Sequence, residues 1–166
     1  MTQENLVVRH VQPGDWSALY ELSKIELDSF GKDGLTPLNL SLFARGGILL
    51  GLFLDGEIVG EAQLLSRANS GGAFLFGLAV AQQCQGRGYG KFLLQQVIEE
   101  LKNEGCQWVE LTVAAENEVA RHLYENSFGF RQIALIPGEG DSDLSPDASS
   151  DEPRLVLRKE LCKAVL

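Results

Sequence analysis

Apolar and polar positions along the chain change period several times, and each change marks an element. Leu6–Val11 is a short apolar run with β-branched residues that stops at Pro13-Gly14, which predicts a strand. Asp15 stands where an N-cap belongs, and Leu19, Leu22 and Ile25 follow at helical spacing. Thr36-Pro37 is a cap followed by proline at the first helical position, so a second helix runs from there to Gly46-Gly47. Ile48–Leu54 and Glu57–Leu65 are apolar runs joined by Asp55-Gly56, the strongest short hairpin signal in the chain. Ala73–Val80 is a further apolar strand, introduced by a serine and two glycines.

The period then becomes helical. Phe92, Leu93, Leu94, Val97, Ile98 and Leu101 form a stripe over Gly90–Glu104, with Gly105 as the stop. Val109–Val113 alternates as a strand. Asn117 caps a last helix that is expected to turn Val119, Ala120, Leu123 and Tyr124 inward. Phe130–Ile136 and Leu155–Leu161 close the chain as strands. The order is βααβββαβαββ without an internal repeat, which predicts one α/β (α+β) domain over residues 1–166.

Composition changes this picture in one place. There are 23 acidic and 14 basic residues, a formal charge of −9. Such a chain does not track nucleic-acid phosphates or adhere to anionic membranes, so neither is expected as a partner. Pro137–Pro153 holds six of the acids, three prolines, four serines and no basic residue. It buries too little apolar area to offset its ordering entropy, and a mobile acidic loop is expected. The remaining 17 acids face 14 bases, so the folded body is nearly balanced. Cys84, Cys106 and Cys162 form no C-x-x-C pair, His10 and His122 are too isolated for zinc, and no metal is expected. The N-terminus lacks the basic start and apolar run of a signal peptide, and the longest apolar runs fall short of the ~20 residues of a membrane span. A cytoplasmic protein, monomer or homodimer, is the expectation.

The chemistry concentrates where Leu78-Ala79-Val80 runs into Gln85-Gly86-Arg87-Gly88-Tyr89-Gly90-Lys91 and a helix opens at once. Glycine lets a backbone approach a ligand, and the free amides of a helix's first turn attract phosphate. Arg87 and Lys91 add positive charge there. The bland alternative is a tight strand-to-helix connection. G-x-x-x-x-G-K-[ST] is absent, and G-x-G-x-x-G fails because position 91 is lysine. The spacing present is Gln85-x-x-Gly88-x-Gly90.

That loop resembles the coenzyme-A loop of the GNAT acyltransferase superfamily, Q/R-x-x-G-x-G/A between the fourth strand and the next helix. Asn117, Tyr124 seven residues on, and the pair Gly129-Phe130 resemble the family's second motif. Gly129-Phe130 stands one residue farther from Tyr124 than is usual, and Gln82 and Cys84 replace a frequent proline and aromatic. The resemblance implies a mixed, mostly antiparallel sheet of about seven strands flanked by four helices. It implies acetyl-CoA as cofactor and acetyl transfer to a primary amine, on a small molecule or a peptide.

The same resemblance implies the site residues. Amides across Gln85–Lys91 (Gln85, Gly86, Arg87, Gly88, Tyr89, Gly90, Lys91) hold the pyrophosphate. A backbone amide among Leu78, Ala79 and Val80 meets the carbonyl oxygen. Asn117 caps its helix and adjoins the cofactor, and Tyr124 matches the general acid. A phenol of pKa about 10 is protonated at neutral pH and donates without retuning. The alternative for Tyr124 is a core aromatic at helical spacing. Glu61 and Glu110, on strands either side of Ala73–Val80, are the candidate bases, each otherwise a solvated strand residue. Trp16 and Tyr20 lie where the family builds acceptor pockets, and Cys84 beside the loop reads as a spectator. Two rival functions remain at this point: a noncatalytic acyl-CoA-binding module, and an interaction protein that uses its acidic loop.

Overall fold

The structure is a computed structural model that describes residues 3–66, 71–138 and 152–161. Local chemistry sets most element ends. The Asp15 carboxylate accepts the Ala18 amide at 3.2 Å and starts α1 (Trp16–Phe30). Thr36 Oγ1 accepts the Asn39 amide at 3.2 Å and starts α2 (Pro37–Gly46). Strand β1 (Leu6–His10) precedes them, and β2 (Ile48–Leu54) and β3 (Glu57–Ser66) follow as a hairpin. Asp55 and Gly56 carry φ of 50° and 89°, the two left-handed residues that a tight antiparallel turn requires. Then come β4 (Gly72–Val80), α3 (Tyr89–Asn103), β5 (Trp108–Ala114), α4 (Glu118–Arg121), β6 (Arg131–Ile136) and β7 (Arg154–Glu160).

The seven strands form one sheet in the order β1-β2-β3-β4-β5-β7-β6. Every neighbouring pair is antiparallel except β4 and β5, which the α3 crossover makes parallel. Leu93, Leu94, Val97, Ile98 and Leu101 of α3 are buried against one face with Leu75, Val109 and Leu111. At about 1.5–3 kcal/mol for each fully buried side chain, this stripe is the main force holding α3 to the sheet. Leu19, Leu22 and Ile25 of α1 and Leu40 of α2 bury the other face against Leu49, Ala79 and Ala81. Among the described residues the expected element order, sheet character and helix count all hold.

One irregularity opens the sheet. Gln63 pairs with Gly77 but Leu64 pairs with Leu75, so Phe76 is an extra residue in β4. The parallel ladder with β5 covers only Gly72–Leu75 against Trp108–Leu111 and ends at the same point. Past it β4 and β5 diverge, and the β5-facing edge of β4 has no strand beside it.

Three expectations need correction. Val119 does not turn inward: it is 85 % exposed. The last helix is α-helical only over Glu118–Arg121 and continues as a π-helical turn over His122–Ser127. A π turn takes up one more residue than an α turn, which accommodates the long spacing between Tyr124 and Gly129-Phe130. Phe130 lies outside β6, buried at its start. Of the expected acidic loop, residues 139–151 lie outside the described residues. No described helix is long and apolar enough to cross a membrane.

Candidate active site

The divergence of β4 from β5 leaves an open cleft of about 710 Å³. One wall is the end of β4, with Leu78, Ala79 and Val80; the opposite wall is α4 and its π turn, with Asn117, Val119, Ala120, Leu123 and Tyr124. The glycine loop and the start of α3 close one end through Gln85, Gly86, Gly88, Tyr89, Gly90 and Lys91. Asp28, Ser29 and Phe30, the last residues of α1, stand at its border.

The loop end presents backbone donors without helical partners. Gly88 is the N-cap of α3 with φ +84°, a left-handed conformation that avoids strain only without a Cβ. No side chain caps α3 and no acid sits in its first turn, so the Tyr89, Gly90 and Lys91 amides lack helical acceptors. The Gln85 carboxamide donates to the Val80 carbonyl at 3.1 Å and ties the loop back to β4. The Tyr89 hydroxyl donates to Glu4 at 2.6 Å, so that side chain anchors the N-terminal segment rather than a ligand. Free first-turn amides beside Lys91 fit a pyrophosphate such as coenzyme A carries. Arg87 departs from expectation: its side chain does not line the cleft and lies 3.8 Å from Glu4.

On the opposite wall the Asn117 carboxamide oxygen accepts the Ala120 amide at 3.1 Å and starts α4. The Tyr124 ring meets Phe130 edge-on at 5.6 Å between centroids. Burial pushes the Tyr124 phenol up to about 12, so it holds its proton throughout the neutral range.

The structure brings neither candidate base into the cleft. Glu110 pairs in register with Phe74, on the stretch where β4 and β5 are still joined. Its carboxylate accepts two Arg158 donors, at 2.6 and 2.8 Å, and the guanidinium also stacks 4.2 Å from the Trp108 ring. Glu61 pairs with Ala79, one strand behind the cleft wall, and is 0 % exposed. Around it, Glu26 of α1 accepts the Gln63 carboxamide and the Leu35 amide, both at 2.8 Å. Gly77 makes room for that carboxamide, since a Cβ there would stand 2.2 Å from Gln63 Oε1. Neither Glu61 oxygen meets a donor. Burial first, then the facing Glu26, raises the Glu61 carboxyl well above its usual range, while Gln63 pulls it the other way. A proton on Glu61 turns it into a donor toward Glu26, which resolves the apparent lack of a partner.

Trp16 and Tyr20 are exposed and do not line the cleft, whereas Cys84 is buried at its edge. Asp28 was not foreseen. Its signal was available: an acid in the last turn of a helix, where the helix dipole disfavours negative charge. Among the described residues no group of histidines, cysteines and acids is arranged to hold a metal.

Comparison with known proteins bears on the family and the fold. The family model described as Acetyltransferase (GNAT) family matches residues 16–130. The chain is 31% identical over 136 residues to the [ribosomal protein bS18]-alanine N-acetyltransferase of Haemophilus influenzae, covering 78% of this chain and 84% of that one. Its fold matches the ribosomal-protein-S18-alanine N-acetyltransferase of Escherichia coli with a TM-score of 0.75 at 21% identity, over 97% of each chain. It likewise matches a GNAT acetyltransferase of Elizabethkingia anophelis solved with acetyl-CoA bound, TM-score 0.71 at 18% identity, over 95% of this chain and 99% of that one. The chain therefore belongs to the GNAT family of acetyl-CoA-dependent N-acetyltransferases, which transfer an acetyl group to an amine.

Proposed function

We propose that this enzyme acetylates the α-amine at the N-terminus of a polypeptide. The observation that carries the reading is the parting of β4 and β5, which sets the free amides of α3 at one end of an open cleft and Tyr124 on its wall. The acceptor class is supported by the name of the Haemophilus influenzae relative, matched over most of its length. Asp28, Ser29 and Phe30, which line the cleft, are exposed, so an acceptor reaches it from solvent.

The residues divide the work as follows. The Gly86–Lys91 backbone and the Lys91 ammonium bind the pyrophosphate and so fix the depth of the acyl end. Acetyl-CoA, when bound, supplies the acetyl group on a thioester. A backbone amide on the Leu78–Val80 edge donates to the carbonyl oxygen as negative charge develops there. Tyr124 Oη holds the proton that the departing sulfur requires, and a phenol raised to about 12 keeps it until that moment. The acceptor loses its ammonium proton to solvent at the open end, because Glu110 is engaged by Arg158 and Glu61 is closed off with Glu26.

The test is free-thiol release from acetyl-CoA over a panel of acceptors. The panel contains a peptide copying the N-terminus of ribosomal protein bS18, peptides with other first residues, a blocked peptide, spermidine and free amino acids. Unblocked peptides should exceed the small amines in kcat/KM by at least about tenfold. Equal or faster turnover of the small amines overturns the acceptor assignment.

A further inference from the structure

Two acids are buried where α1 rests on the sheet, and neither lines the cleft. Glu26 of α1 is 2 % exposed and Glu61 of β3 is 0 % exposed. Glu26 is held from two elements at once. Gln63 of β3 donates to its Oε1, and the Leu35 amide, in the connection from α1 to α2, donates to its Oε2. That connection also passes close by, since a Cβ on Gly34 would stand 2.6 Å from the Glu26 carbonyl oxygen. Nothing cationic balances the pair. The register partners of Glu61 are Gly51 and Ala79, and those of Gln63 are Leu49 and Gly77, so neither neighbouring strand brings a titratable group. The other charged residues of α1, Glu21, Lys24 and Asp28, are exposed, and Ser41, the buried polar residue of α2, donates to the Pro13 carbonyl. Among the described residues no lysine, arginine or histidine pairs with either acid.

Both Glu61 oxygens lack a donor, and two carboxylates facing each other in a dry interior without a cation repel strongly. One proton removes the conflict: Glu61 donates to Glu26, which then accepts from Glu61, Gln63 and Leu35 together. The place of the pair gives that proton a wider role. Glu61 lies beside Ala79, and Ala79 is buried with Leu19, Leu22 and Ile25 where α1 meets β4. Ala79 belongs to the Leu78–Val80 wall of the cleft, and Asp28–Phe30, just beyond Glu26, form its border. We infer that Glu26 and Glu61 share one proton that docks the end of α1 on β4 and so fixes the spacing between these two parts of the cleft. Glu61 is thereby a positioning residue and exchanges no proton with a substrate. Burial holds its proton well above the usual carboxyl range, so the dock is intact at neutral pH and fails on the alkaline side. There the two charges push α1 away from Ala79, and the Leu35 amide loses its fixed acceptor. The device acts whichever amine is acetylated.

The experiment follows wild type and Glu61→Gln across pH with two readouts. The first is hydrogen exchange at the Leu35 amide in the substrate-free protein. Wild-type protection should fall by about tenfold or more between about pH 7 and about pH 10, while Glu61→Gln, which keeps a neutral donor toward Glu26, stays level. The second is steady-state kinetics on whichever amine is turned over fastest. The ratio of kcat/KM in Glu61→Gln to that in wild type should be close to unity at neutral pH and rise about three- to tenfold at the alkaline end. Glu26→Gln removes the facing charge and should flatten both trends as well, and it takes the place of Glu61→Gln if that variant does not fold. Level protection of Leu35 in wild type overturns the shared proton. Falling protection with a constant kinetic ratio overturns the positioning role. An equal alkaline loss in wild type and both variants overturns it too, because the loss then belongs to another group.

Discussion

The Tyr124 carbonyl accepts the Phe130 amide at 3.0 Å while the two rings meet edge to face. The π turn between them is therefore closed at both backbone and side chain, which fixes the phenol on the cleft wall. Tyr124→Phe keeps the ring packing and removes only the proton. We expect kcat to fall by about 10²-fold or more, with KM for acetyl-CoA nearly unchanged. Since the phenol is held near 12, loss of its proton should not depress wild-type kcat anywhere up to about pH 10. Rates measured across pH for both proteins check both statements.

Glu110→Gln separates a structural carboxylate from a base. The pair with Arg158 is partly buried and accepts two donors, so its loss should cost about 1 kcal/mol or somewhat more. Chemical denaturation reads that cost. Turnover at saturating substrates should stay within about threefold of wild type, against the roughly hundredfold loss that removal of a base produces.

Glu61 gives a pH-dependent signature. Its carboxyl is raised in the folded protein, so the folded state binds its proton more tightly than the unfolded chain does. Its contribution is then fully present at pH below the ordinary carboxyl range and is lost as pH rises through the raised value. Glu61→Gln keeps a neutral donor toward Glu26 without that loss. The variant should melt higher than wild type above neutrality, by about 3 °C or more, with the gap closing toward pH 4. Thermal melts at several pH values measure it, and an identical pH slope in both proteins speaks against the protonated pair.

Gly88→Ala probes the anion end. Nothing lies within 4 Å of a Cβ built there, so the cost is conformational rather than steric. Holding alanine at φ +84° should cost about 1–2 kcal/mol. Relaxation of that strain turns the first amides of α3, so KM for acetyl-CoA should rise severalfold while peptide KM changes little. Gly88→Asn should be milder, since asparagine tolerates the left-handed region better.

Much of this architecture is legible in the sequence because its signals are local. Asp15, Thr36 and Asn117 cap helices by reaching three residues ahead, and Asp55-Gly56 turns within its own dipeptide. The loop from Gln85 to Lys91 is likewise contiguous. What escaped depends on contacts distant in the chain. Helical spacing turns Val119 inward, but the cleft and not the core lies on that side. Glu61 reads as a solvated strand residue until Glu26, 35 positions earlier, is folded over it. Arg87 reads as a ligand for anions until Glu4 of the N-terminal segment arrives beside it. Asp28 meets the cleft only because α1 ends next to β4, a juxtaposition that no periodicity along α1 encodes.

The extra residue at Phe76 and the four-pair ladder beside it divide the sheet into two panels joined by a short seam. Whatever fills the cleft touches both panels at once, through Leu78–Val80 on one and Asn117–Tyr124 on the other. A bound ligand therefore acts as a splint across the seam, and folding is linked to occupancy by mass action. The lifetime of this protein should accordingly follow the supply of the acetyl donor it consumes, making the enzyme most durable when it has the most to do.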